Sequence, residues 1–456
     1  MRKLLLAVVC PAAALFSWHT SVAQAAGSTP VQGPGLSAAL FANPGYTCVA
    51  NLYVSTTGSD TTGDGSIGSP LATLQKANSR APTAGTCVNV EPGVYSLAGT
   101  GISLYHRGNA ATPTGYVVYR STTLGGAVLR ETAPYGGGVI KLAASYLWLD
   151  GFEIDGNATG CSGKPCAEDY NVGVLAGSTT HHQWFTNNYS HGGGGGGFGA
   201  AGGGDCAWLI HNVATDNAAT NTYEESGISI WEPHAVSGVT ACDASGFHFH
   251  IQWNIAAGNM EGPSIPGWAH TDGDGIILDT FSGTSYPYTS LVADNLGYNN
   301  GGFCVGEDNS SNITFANNTC YDNYLDPLNT GTYRGELWAN GGSKNTFVNN
   351  VAQAIPGSGM LSYNISAITY GGANQTTWSN NVFFGPNPKD HTSGHSDPIS
   401  CTSNKCSTNP LWVSPATGNF ALQSGSPARN YGLIEPYLPA WQVDAGACSG
   451  GLTSCP

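Results

Sequence analysis

Along most of the chain, apolar and polar positions alternate in short runs separated by Gly, Asn, Asp and Ser, the pattern of many half-buried strands joined by tight turns. Between Val117 and Phe384 no stretch carries a helical period. Within this alternation an asparagine returns in one short phrase, at Asn188, Asn212, Asn254, Asn295, Asn318, Asn350 and Asn381. Three residues before each stands an apolar side chain: Phe185, Leu209, Ile251, Val292, Phe315, Phe347 and Trp378. The intervals suit one or two coils of a solenoid. An amide required at one corner of every coil explains the column, since asparagine tolerates left-handed backbone and can bond an identical amide above and below. Gly151 reads as an earlier rung at which glycine makes the corner. The one convincing helix lies at 70–77 and is predicted to cap the open end of the stack. The fold class is therefore all-β, a solenoid of strands with a short N-terminal capping helix.

Length alone, 456 residues, would suggest two or three globular domains. The repeat overrides that expectation, because stacked coils share one core and grow in one dimension. Only 9% of residues are charged and 64 are glycine, but 41% apolar content and period-two strands argue against disorder. Arg2 and Lys3, the apolar residues 4–9 and Ala23-Gln24-Ala25 have the form of a signal peptide over residues 1–25. No other segment is long and apolar enough to cross a membrane. Of 13 cysteines, removing Cys10 with the signal leaves 12, an even number that favours disulfides in an oxidising compartment. Cys161 with Cys166, Cys401 with Cys406 and Cys448 with Cys455 are close enough to be loop staples. The formal charge of −15 makes nucleic acid and anionic membrane poor partners. The expected organisation is a lead, cap and first coil over 26–105, the stacked coils over 106–400 and a stapled C-terminal cap over 401–456, secreted and monomeric.

Three phrases carry a resemblance. Tyr53-Val54-Ser55 with Gly58-Ser59-Asp60, the segment 70–77 and Val90 to Tyr95 resemble the start of pectate-lyase-like right-handed parallel β-helix proteins, most closely polysaccharide lyase family nine. Asn409-Pro410-Leu411 followed by Gly425-Ser426-Pro427-Ala428 is similar to the tail of such secreted proteins. The resemblance implies a right-handed parallel β-helix with three strands per coil and an active cleft along the first strand and the loops entering it. It implies an extracellular polysaccharide as substrate.

With the asparagine column ending the second strand, the first strands align as 227–231, 275–279, 302–306 and 334–338. Alternation sends Ile228, Ile230, Ile276, Leu278, Phe303, Val305 and Leu337 inward. It sends Trp231, Asp279, Gly306 and Trp338 outward in one column, and Ser229, Ile277, Cys304 and Glu336 outward in the next. Trp231 and Trp338 are candidate sugar platforms, with Tyr333 beside them; the alternative is packing beneath a loop. Glu224 and Asp272 hold equivalent places on neighbouring coils, about 4.8 Å apart by the rung spacing. Such carboxyls suit glycoside cleavage or, with Asp274, a bound Ca2+. Candidate catalytic residues are Glu224, Asp272, Asp279, Glu336, Arg334 and His270. The calcium-binding cluster and lysine base of family nine are not matched: Asn300 to Cys304 stands in place of the first, and the second falls near Glu336 or Leu337. Hydrolysis therefore fits the residues better, whereas elimination fits the resemblance. Trp231-Glu232-Pro233-His234 is similar to the Asp-Pro-His motif of alginate C5-epimerases, with Glu for Asp. The competing class is a non-catalytic glycan-binding or adhesion protein. His248 and His250 are expected as an exposed pair on a second strand, and the glycine run 192–197 as a loop.

Overall fold

The computed structural model describes residues 45–175, 177–220, 224–262, 270–329, 335–355, 365–370, 375–387, 390–391, 399–439 and 442–447. The expected signal peptide, Tyr333, Arg334 and the Cys448–Cys455 staple lie outside the described residues.

Period-two alternation becomes three long sheets, of 11, 10 and 10 strands, in which every neighbouring pair is parallel. One coil shows the plan: a first strand Ile228–Trp231, a second Phe247–Gln252, a third Ile255–Ala257, then the next first strand Ile276–Asp279. This is a right-handed parallel β-helix, the hand expected of parallel crossovers. The single α-helix among the described residues is Leu74–Ser79, capped by Thr73 Oγ1, which accepts from Lys76 N at 3.1 Å. Inside the cylinder one apolar core runs the length of the stack. Phe347 stacks on Phe315 at 4.4 Å and on Trp378 at 4.0 Å. The short third strands place small inward residues there, Ala214, Ala256, Cys320 and Ala352.

The corner between second and third strands carries the expected amide column. Asn254 N and Nδ2 both donate to Asn295 Oδ1, at 2.9 and 3.0 Å, and Nδ2 also donates to Leu209 O. The same bonds repeat from Asn188 to Asn381, and Asn404 adds a further rung. The left-handed backbone, however, belongs to the residue before each asparagine: His211, Trp253, Asp294, Asn317, Asn349 and Asn380 have φ of 54 to 59°. Gly151, at φ +77°, fits that preceding position, and Phe152 takes the rung, its N–H donating to Asn188 Oδ1.

A second amide ladder fills the corner between third and first strands. Asn171, Asn217, Asn259, Asn300 and Asn323 hand one bond up the stack, side-chain N to side-chain O, at 2.7 to 3.1 Å. The loops leaving this corner stack in turn: Met260 N donates to Asn217 O, Gly301 N to Asn259 O and Asp326 N to Gly301 O.

Disulfides Cys161–Cys166 and Cys401–Cys406 form as expected. Cys48–Cys87, Cys206–Cys242 and Cys304–Cys320 complete the set among the described residues. His248 and His250 are not exposed: they are buried against Asp205 at 2.6 Å and Asp243 at 3.1 Å. His250 continues an outer stack of Trp148, Trp184 and Trp208 on the second sheet.

A mid-ladder rung should matter more than any surface contact. Asn295→Ala removes the acceptor of Asn254 N and of one Nδ2 hydrogen, and a donor to Ile251 O, so we expect a loss of about 2–4 kcal/mol in denaturant unfolding.

Candidate active site on the first-strand face

The first-strand register decides what meets on the outer face. Ile228 pairs with Ile276, Ile276 with Val305 and Val305 with Leu337. Trp231 therefore neighbours Asp279, as expected, but Asp279 neighbours Asp308, and Asp308 neighbours Asn340. Gly306 and Trp338 belong to the other outward column, with Ser229 and Ile277. The shift of two residues has a cause. It puts Glu307 inside the cylinder, fully buried, where Ser310 N donates to its carboxylate and burial pushes its pKa well above the usual range. A charged side chain at an inward position is what alternation alone rejects.

Two expected site residues, Trp338 and Glu336, are buried rather than open on this face. Phe303 is outside the cylinder, 4.9 Å from Trp338, and with Ile277 and Ile368 covers it, so that Trp338 is buried and offers no open platform. Cys304 turns inward to its disulfide. Glu336 ends the second ladder, accepting from Asn323 N at 3.0 Å and Nδ2 at 2.6 Å; burial pushes its pKa up to about 8. Trp231 does face solvent, at 38% exposure, between Ala201 and Asp279.

The loops entering the first strands gather the acids. Gly273 N donates to Glu225 O, which ties the loop carrying Asp272 to the loop carrying Glu224 on the adjacent coil. Both are partly exposed. Asp274 is buried instead, with Phe303 N donating to Oδ1 at 2.7 Å and Ser226 Oγ to Oδ2 at 3.3 Å, so the structure gives it a place in the corner. His270 lies behind Asp272, its Nδ1 2.7 Å from Asp326 Oδ2, with Glu261 beside both. Glu261 Oε2 accepts from Asp272 N at 3.1 Å. Burial raises the Glu261 pKa to about 7; the Asp272 amide and His270 oppose that rise, and Asp326 and Glu224 add to it.

On the coil below, Tyr170 is folded flat against the sheet. A Cβ on Gly196 or Gly199 would lie 2.2 Å from its ring, and one on Gly195 would lie 2.1 Å from Glu225 Oε2. The glycine run is thus a buried bed for Tyr170 and Glu225, not a loose loop. Burial first, then Glu225, Asp272 and Asp169, push the Tyr170 hydroxyl well above its ordinary pKa. Sequence reasoning missed Glu261, Asp326, Tyr170 and Asp308. The second ladder would have pointed to the first two: Asn217, Asn259, Asn300 and Asn323 each follow a first-ladder asparagine by five positions, and the loops begin there.

Solved structures are similar to this chain at low sequence identity. Pectate lyase Pel9A matches 89% of this chain and 97% of its own, at 15% identity and a TM-score of 0.49. GH136 lacto-N-biosidase from Eubacterium ramulus matches 73% of this chain and 56% of its own, at 13% identity and a TM-score of 0.45. A rhamnogalacturonan lyase matches 78% and 86%, at 14% identity and a TM-score of 0.39. No family model matches the sequence, and no curated protein matches it.

Glu336 yields a stability test. Its folded pKa, about 8, lies above the ordinary 4.5, so the folded state holds the extra proton between these values. That contribution is complete below pH 4.5 and is lost as pH rises through 8. Glu336→Gln keeps an acceptor for Asn323 without a titrating group. Its melting temperature, measured from pH 4 to 9, should gain on the wild type as pH rises.

Proposed function

We propose that this protein is a secreted enzyme that cleaves glycosidic bonds of an extracellular polysaccharide by hydrolysis. What supports the reading is that Glu224 and Asp272, both partly exposed, lie on the loops that enter two adjacent first strands, Ile228–Trp231 and Ile276–Asp279. Rungs are about 4.8 Å apart, close to the roughly 5–5.5 Å between the carboxyls of retaining glycosidases. One carboxyl protonates the leaving glycosidic oxygen; the other forms a glycosyl ester, which water cleaves, returning both groups to their starting state. Trp231, with Asp279 and Asp308 on the next two rungs, supplies a ring platform flanked by hydroxyl acceptors. The acidic face disfavours a polyanionic substrate, which supports hydrolysis over elimination. Five disulfides among the described residues, and no helix there long and apolar enough to cross a membrane, are compatible with secretion.

The test is a panel of neutral and uronate polysaccharides, following reducing ends together with the ultraviolet absorbance of unsaturated products. Reducing ends alone are expected. Both signals rising would mean elimination, and neither across a broad panel would favour a binding protein. Asp272→Asn and Glu224→Gln should each lower kcat by about 10²–10⁴-fold. Trp231→Ala should chiefly raise KM, as loss of binding shared by ground and transition states does.

A further inference from the structure

We propose that Glu261, His270, Asp326 and Asn329 form a binding site for one divalent first-row transition cation, Zn2+ or Mn2+, behind the Glu224–Asp272 pair. The three titratable side chains come from separate stretches of two stacked loops and each offers a ligand atom within 4.8 Å of the others. Metal–ligand distances of about 2.0–2.2 Å put neighbouring atoms on one tetrahedral ion roughly 3.3–3.6 Å apart, so side-chain shifts of about 1 Å would seat the ion, with His270 and Asp326 parting from their direct contact. Exposure is 3% for Glu261, 9% for His270, 1% for Asp326 and 0% for Asn329. A polysaccharide does not reach groups so buried, whereas an ion does.

Asn329 is the independent sign of a ligand. Its Nδ2 donates to Thr271 O at 3.3 Å, next in the chain to His270, and its N–H donates to Asp326 O at 3.2 Å. The amide therefore lies across the same corner, yet its buried Oδ1 has no hydrogen-bond partner among the described residues. A carbonyl oxygen left so is costly unless something accepts its lone pair.

The remaining contacts hold the donors in place. Leu328 N donates to Asp326 Oδ1 at 2.8 Å, leaving Oδ2 toward His270, and Asp272 N donates to Glu261 Oε2. One imidazole with three oxygens suits Zn2+ or Mn2+. Ca2+ takes six to eight oxygens and is served less well. The ion would act by position: through Glu261 it would fix the loop that carries Asp272.

The experiment is calorimetric titration of the chelator-stripped full chain with Zn2+, Mn2+ or Ca2+ alone, with the melting temperature of each mixture. One equivalent of Zn2+ or Mn2+ should bind and raise the melting temperature, with Ca2+ weaker by at least about tenfold. His270→Gln combined with Asp326→Asn should abolish binding. Should that variant not fold, Asn329→Ala serves in its place and should weaken binding on the order of 10-fold. No saturable binding of Zn2+ or Mn2+, tighter binding of Ca2+, or affinity unchanged in the folded variants overturns the site. Binding is read without any glycan, so its failure leaves the proposed cleavage standing, and failure of cleavage leaves the site standing.

Discussion

Everything on the outer face depends on an amide that hydrogen-bonds to the same amide one rung away. In a parallel stack nothing in the backbone ladder distinguishes one register from a shift of two, since both keep the same alternation of faces. An asparagine whose N–H and Nδ2 both close on the next Oδ1 removes that freedom at a corner. Two such columns stand at two of the three corners. Most rungs sit just after a residue held in left-handed backbone, an unfavourable state for Trp253 or His211 that the buried bonds offset. The glycans this face would bind are proposed; the spine that aligns it is observed.

The second ladder ties fold to site. It closes the third strand and releases the loops that carry Glu224, Glu261, His270, Asp272 and Asp326. Because Asn217, Asn259, Asn300 and Asn323 are in register, the loops that leave them stack at one corner, with Glu261 and Asp326 brought together across the short turn after Asn300. Burial then sorts those acids. Glu307, Glu336 and Asp274 serve the scaffold; Glu261 and Asp326 lie beneath the surface with His270; Glu224 and Asp272 meet solvent. Carboxyl groups meet three environments here, and depth separates them.

How much was legible follows from what a pattern can encode. The first asparagine column, the alternation and the glycine-rich turns specify the solenoid, because each is a local demand repeated in every coil. The pairing of Trp231 with Asp279 was readable for the same reason. The step from Asp279 to the next coil was not, since the true register buries Glu307 and leaves Phe303 outside, against the rule that apolar side chains point inward. The buried Trp338, the capping role of Glu336 and the bed of glycines under Tyr170 depend on contacts between coils. So does the meeting of Glu261 with Asp326, which are 65 positions apart in sequence (326 − 261).

The most direct measurement is a crystal structure of Asp272→Asn with a bound oligosaccharide. The account predicts sugar rings along the first-strand face, one stacked on Trp231 and a glycosidic oxygen beside Glu224, over unbroken amide columns. Sugar bound on another face, or Asn254, Asn295 and Asn318 out of line with one another, would contradict it.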